Sequence, residues 1–313
     1  MTFSDKALGS SARRPLGIHS LDHYALEVPS LDTARDFYTS FGLDARQENG
    51  ALVLRTFGSS HPWAYLYEGP RKKLRHIAFG AYREDLPALR QQVISEGCAV
   101  APLPGEGFRF VAPDGVSVEV QLAAKVTPDS KPAVSAESSP EGERGSPFRR
   151  HAPPVRPRRL SHIMLFTPDL AHTIAFYERA LGIRLSDRSE HVVAFMHAVH
   201  GADHHTVAFV QSQAPGFHHC SWDVASINEV GLGAKRMFDQ GWKQGWGFGR
   251  HVLGSNYFYY VRDPWGSWCE YSCDIDYVPA GVEWVAGNHP PEDSLYLWGP
   301  DVPEEFVVNY EAE

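Results

Sequence analysis

Cysteine is scarce in this chain: Cys98, Cys220, Cys269 and Cys273 are the only four in 313 residues. They are too few and too irregularly spaced for a disulfide framework, and they suit a reducing compartment. No apolar run reaches the roughly 18 residues that a membrane-spanning helix needs. Met1 to Arg14 is polar and lacks the apolar centre of a signal peptide. Positive charge is short as well. With 29 Lys and Arg against 38 Asp and Glu, the formal net charge is −9 and the pI about 6.0. No general positive field therefore draws the protein to nucleic acid or to an anionic membrane. These absences predict a cytoplasmic protein, and 43% hydrophobic with 21% charged residues suits about two ordinary domains.

What is present is a duplication. Leu21 to Pro29 reads as a strand and is followed by Ser30 to Gly42, where Leu31, Ala34, Phe37, Tyr38 and Phe41 recur at helical spacing. At a constant offset, Leu160 to Pro168 is followed by Asp169 to Gly182, with Leu170, Ile174, Tyr177 and Leu181 on one face. His23 answers to His162 in this alignment. Further on, Leu74 to Phe79 parallels Phe217 to Trp222, and Ala112 to Val120 parallels Asp263 to Tyr271. Each half has the order strand, helix, strands, strand with His, helix, strands ending in Glu. A half this short cannot close a barrel, so the expected class is α+β, with tandem β-α-β-β-β modules curving around a cavity. The expected boundaries are 16–124 for a first, non-catalytic domain, 125–159 for a disordered linker rich in Pro, Ser, Glu and Arg, and 160–313 for a catalytic domain with a C-terminal extension. Arg149, Arg150, Arg156, Arg158 and Arg159 are read as solvated linker. The aromatics of 274–313 exclude a free tail, and that segment is expected to cover a site entrance or pack on another subunit.

The chemistry gathers in the second half. Phe217-His218-His219-Cys220-Ser221-Trp222 and Trp268-Cys269-Glu270-Tyr271 read as strands, which hold His219 and Glu270 on rigid sheet, and His162 sits on a third. Two imidazoles and a carboxylate suit Fe(II) and leave positions open for substrate and O2, while Mn(II) accepts the same donors. Strand alternation sends only one of His218 and His219 into the cavity, and turns Cys220 and Cys269 away from it as packing groups. Trp222, Trp246 and Trp268 are expected in the core or the pocket wall.

The order of elements and the His…His…Glu placement resemble the vicinal oxygen chelate superfamily. Within it, the second half is similar to the type I extradiol ring-cleaving dioxygenases, through Ser161-His162, His204-His205-Thr206-Val207-Ala208-Phe209, Phe217-His218-His219, Gly249-Arg250-His251, Tyr260 and Asp263-Pro264 leading to Glu270. The resemblance implies an iron enzyme of aromatic degradation that opens a catechol with O2. It makes His162, His219 and Glu270 the metal ligands, His204 the acid beside O2, and His251 and Tyr260 the neighbours of the substrate oxygens. It also implies a homo-oligomer and an inert first half, although His23, His76 and Glu119 persist there. Gly241 to Phe248, before His251, is aromatic and glycine-rich where binders of acidic catechols carry guanidinium groups, so catechol or an alkyl- or aryl-catechol is the expected substrate. Two other readings predict different behaviour: a glyoxalase-like isomerase with ligands from both halves would need no O2, and a sequestering protein of the bleomycin-resistance kind would need no metal.

Overall fold

Four helices and two large sheets make up the computed structural model, which describes residues 14–135 and 138–312. The polar N-terminus up to Arg13, and Ala136 and Glu137 of the linker, lie outside them.

In the first half, two β-α-β-β-β modules begin at Ser20–Val28 and Lys73–Ala81, and these two strands pair antiparallel at the centre of an eight-stranded sheet. Each is flanked by the last strand of its own module: Ala64–Glu68 runs parallel to the first and Ser117–Leu122 parallel to the second. The second half repeats this pattern. Arg159–Thr167 and Gly216–Asp223 pair antiparallel at the centre of a ten-stranded sheet, with Val207–Gln211 and Trp268–Cys273 on their outer sides. The C-terminal segment supplies short strands to that sheet, Gly287–Asn288 against Arg184–Ser189 and Tyr296–Trp298 against Gly245–His251, which covers both of its edges.

The helices are set by their ends. Ser30 accepts from the Thr33 N–H and Asp169 from the His172 N–H, and the first and third helices, Leu31–Phe41 and Leu170–Leu181, stop at left-handed Gly42 and Gly182. At Gly182, φ is +72° and an added Cβ would lie 2.2 Å from the Leu16 carbonyl oxygen. Gly182→Ala is therefore expected to cost more than about 1 kcal/mol, read as a lowered urea midpoint with activity kept in the folded fraction.

The halves share one core. The Leu31–Phe41 and Ile227–Asp239 helices pack together, as do Leu86–Ser95 and Leu170–Leu181. Tyr271 stacks on Phe41 at 3.8 Å and donates its hydroxyl to the Phe41 carbonyl at 2.7 Å. Cys220 and Cys269 lie in this core with their sulfurs 3.7 Å apart, on the face opposite His219 and Glu270, as strand alternation predicts.

The linker departs from expectation. Val155 is buried, Arg158 pairs with Asp223 at 2.8 Å, and Arg159 is buried in a two-pronged pair with Asp203 at 2.6 and 3.0 Å. Upstream, Ser135 N–H reaches the Ala225 carbonyl and Lys131 reaches Asp274. A proline-rich segment lies extended without a sheet partner, and here its ends are held by side-chain anchors that composition does not reveal. Arg159 is therefore buried and structural, while Arg158 stays exposed but is tied to Asp223.

Candidate active site

Strand register brings the three expected donors together. His162 lies opposite Ser221 and Ser221 opposite Glu270, while His219 stands two residues before Ser221 on the same face. His162 Nε2 is 3.3 Å and His219 Nε2 3.9 Å from Glu270 Oε2, and all three residues are buried. His219 Nε2 and Glu270 Oε2 have no hydrogen-bond partner. Buried polar atoms left bare are costly, and a cation between them would satisfy both. Each donor is held from behind: His162 Nδ1 by Ser161 Oγ at 3.3 Å, His219 Nδ1 by His218 Nδ1 at 2.8 Å, and Glu270 Oε1 by the Asn256 amide at 3.0 Å. Burial pushes His219 well below the usual imidazole range, so it is neutral. Burial alone would raise Glu270, but His162 and His251 hold it well below the carboxylate range, so it is ionised. Neutral imidazoles and a carboxylate are the ligating forms, and two nitrogens with one oxygen fit a divalent first-row metal.

His162 and His219 line a cavity of about 140 Å³ whose walls include Met164, Val193, Phe195, Leu253, Leu295 and Phe306. Among the described residues, no Lys, Arg or Asp lines it. His218 does line it, contrary to the expectation from alternation. A bulge between Phe217 and His219 breaks the alternation, so His218 stays on the cavity side, packed on Phe306 and Phe166.

The profile of the Glyoxalase/Bleomycin resistance protein/Dioxygenase superfamily matches residues 159–271, the part that carries this triad. A protein named metapyrocatechase 2, from Cupriavidus necator, is 49% identical over 99% of this chain and 98% of its own length. The chain belongs to the type I extradiol dioxygenases of the vicinal oxygen chelate superfamily. An iron-dependent extradiol dioxygenase from Rhodococcus jostii is 28% identical over 45% of this chain and 50% of its own. The crystal structure of BphC, described as a halotolerant catechol dioxygenase, shares the fold at a TM-score of 0.73, with 20% identity over 94% of this chain and 99% of that one. The protein is an extradiol ring-cleaving enzyme.

Within this dioxygenase the structure places His204 and His205 differently from the expectation. His204 does not line the cavity; its Nε2–H is donated to Asp187 at 2.9 Å and its ring meets Trp284 edge-on. His205 lines it instead, with its ring centroid 3.9 Å from that of His162. The reason is Asp187. Burial pushes its pKa up, but hydrogen bonds from His204, His289 and the Gly287 N–H outweigh that and hold it at about 2, so the ionised carboxylate captures His204. With its proton on Nε2, a neutral His204 accepts at Nδ1 from His205 Nδ1–H, 3.1 Å away. His205 Nε2 is then left with a bare lone pair.

His251 and Tyr260 stand together at the cavity, as expected. The Leu295 carbonyl accepts from His251 Nδ1–H at 2.6 Å, so a neutral His251 accepts the Tyr260 hydroxyl at Nε2, 3.1 Å away. Burial and the Glu270 charge hold Tyr260 as a neutral phenol. Trp246 stacks on Tyr260 and Trp268 packs on Phe306 in a small core cluster behind the cavity lining, while Trp222 lies in the main core. Sequence reasoning missed Asn256, which orients Glu270, and Asp187, which orients His204; Leu295 and Phe306 put the C-terminal segment at the cavity, one of the two places expected for it. Asn256 gives no periodic signal, because its role depends on a turn folding back across the sheet.

Proposed function

We propose that His162 Nε2, His219 Nε2 and Glu270 hold iron(II), and that the enzyme opens an uncharged, single-ring catechol. The observation that carries this reading is the pair of bare inward-facing donor atoms, His219 Nε2 and Glu270 Oε2, under an apolar cavity. Bound there, iron(II) supplies open positions for diol and O2 and a path for electron density from ring to oxygen. The protein moves the protons. Tyr260 Oη accepts a hydrogen bond from one catechol hydroxyl, and His251 Nε2 takes the proton passed through it. His205 Nε2, not His204, accepts the second proton and returns it to the oxygen whose O–O bond breaks. Both oxygen atoms then end in the ring-opened product.

The cavity supports the substrate class. Its volume of about 140 Å³ is close to the roughly 150 Å³ that takes benzene in an engineered apolar cavity of another protein. Without a lining cation, a carboxylated catechol would leave its charge unpaired. After anaerobic loading with Fe(II) and admission of O2, catechol and methylcatechol are expected to give yellow product with kcat/KM at least about tenfold above a carboxymethyl-catechol. Preference for the acidic substrate would overturn the substrate class; absence of product with every catechol would sink the function. An isomerase that draws ligands from both halves is disfavoured, because each His-His-Glu set closes within its own half.

The same reading assigns catalysis to residues 160–313 and support to residues 16–124. Four unpaired thiols suit the cytoplasm. Exposed Val285, Leu297 and Trp298 on the C-terminal segment suit contact between copies of the chain.

A further inference from the structure

The first half repeats the metal-site register strand for strand. His23 lies opposite Ala78 and Ala78 opposite Glu119, with His76 two residues before Ala78. This is the relation of His162, Ser221, Glu270 and His219. We propose that His23 Nε2, His76 Nε2 and Glu119 Oε2 hold a second divalent transition-metal ion, at a site that performs no ring cleavage.

The distances suit an ion better than direct contact. The two imidazole Nε2 atoms are 3.4 Å apart, long for a hydrogen bond, whereas nitrogens bound to one metal at about 2.1 Å stand roughly 3.0–3.4 Å apart. Glu119 Oε2 is 3.9 Å from His76 Nε2, the separation found between His219 and Glu270. The outer atoms are already engaged. Asp22 accepts from His23 Nδ1–H at 2.7 Å and is itself held by the Gln121 amide at 2.8 Å, which leaves the Nε2 lone pair of that tautomer directed toward His76 and the ion. Arg109 approaches Glu119 Oε1 at 3.5 Å and leaves Oε2 for the ion. The three donor atoms lie within 4.8 Å of one another at the mouth of a cavity of about 410 Å³ lined by Tyr65, Tyr67 and Arg109. No counterpart of His205 or of the His251–Tyr260 pair lines that cavity among the described residues. It can hold a cation, but among the described residues no histidine beyond the two ligands lines it to move the protons of ring opening.

Metal content of the full chain tests this with Mn(II), which takes the same donors and resists oxidation. After chelation, reloading and desalting, two Mn(II) per native chain are expected. His23→Ala and Glu119→Gln should each retain one and, loaded with Fe(II), cleave catechol within about twofold of the native rate. His219→Ala should also retain one, and the His23→Ala/His219→Ala chain none. One Mn(II) per native chain, or two in the His23→Ala chain, would overturn the proposal, and native stoichiometry decides even if a variant fails to fold. Two Mn(II) in His219→Ala with one in His23→Ala would instead refute the second-half ligand assignment and leave this site standing.

Discussion

Replacing His219 by alanine is expected to lower kcat/KM for catechol by about 10⁴-fold or more, equivalent to at least about 5 kcal/mol of lost transition-state stabilisation. His219 is one of the three donors that converge there among the described residues, and its Nε2 has no hydrogen-bond partner. Its neighbour cannot take over, because the His218 Nδ1 that faces His219 serves as its support. The loss of activity should therefore come with the loss of one metal ion per chain, the one held by the second half. The same ligation links metal to stability, since an ion bound only by the folded chain raises the thermal midpoint in proportion to RT ln(1 + [M]/Kd). Chelation should lower the midpoint of the native enzyme further than that of His219→Ala, which has only the first-half site left to lose its ion from. A His219→Ala enzyme that kept its iron and its rate would refute the assignment.

Replacing His205 by alanine is expected to lower kcat by about 10²- to 10⁴-fold while metal content stays native, the range for loss of a general acid–base. His204→Ala should cost less, about 10- to 100-fold, because His204 acts through His205. Its Nε2 is tied to Asp187 and its Nδ1 to His205, so it fixes the His205 tautomer without touching substrate. Asp187→Asn should resemble His204→Ala, since an amide no longer requires the proton on His204 Nε2. In both positioning variants KM should change little. If His204→Ala proved the more damaging of the two, the original assignment of His204 as the acid would stand and the relay would be wrong.

The duplicated strand–helix–strand order was readable because it rests on periodicity and on turn residues that hold their spacing in both halves. The triad was readable for a related reason: His162, His219 and Glu270 lie on three adjacent strands, where sheet register fixes their convergence. The choice between adjacent histidines was not readable. At His218–His219 a bulge suspends alternation, and at His204–His205 the outcome depends on Asp187, which comes from a strand earlier in the chain and is held by His289 from the C-terminal segment. The linker failed in the opposite sense. Its polar composition reads as solvated, yet Arg159 opens a central strand and pairs with Asp203 in the interior. Long-range polar anchors of this kind leave no local pattern.

The most direct test is anomalous diffraction on either side of the iron absorption edge, from crystals of anaerobically loaded enzyme that turn over catechol when exposed to O2. The account predicts an iron peak within bonding distance of His162 Nε2, His219 Nε2 and Glu270 Oε2. Active crystals with no iron at that position would contradict it.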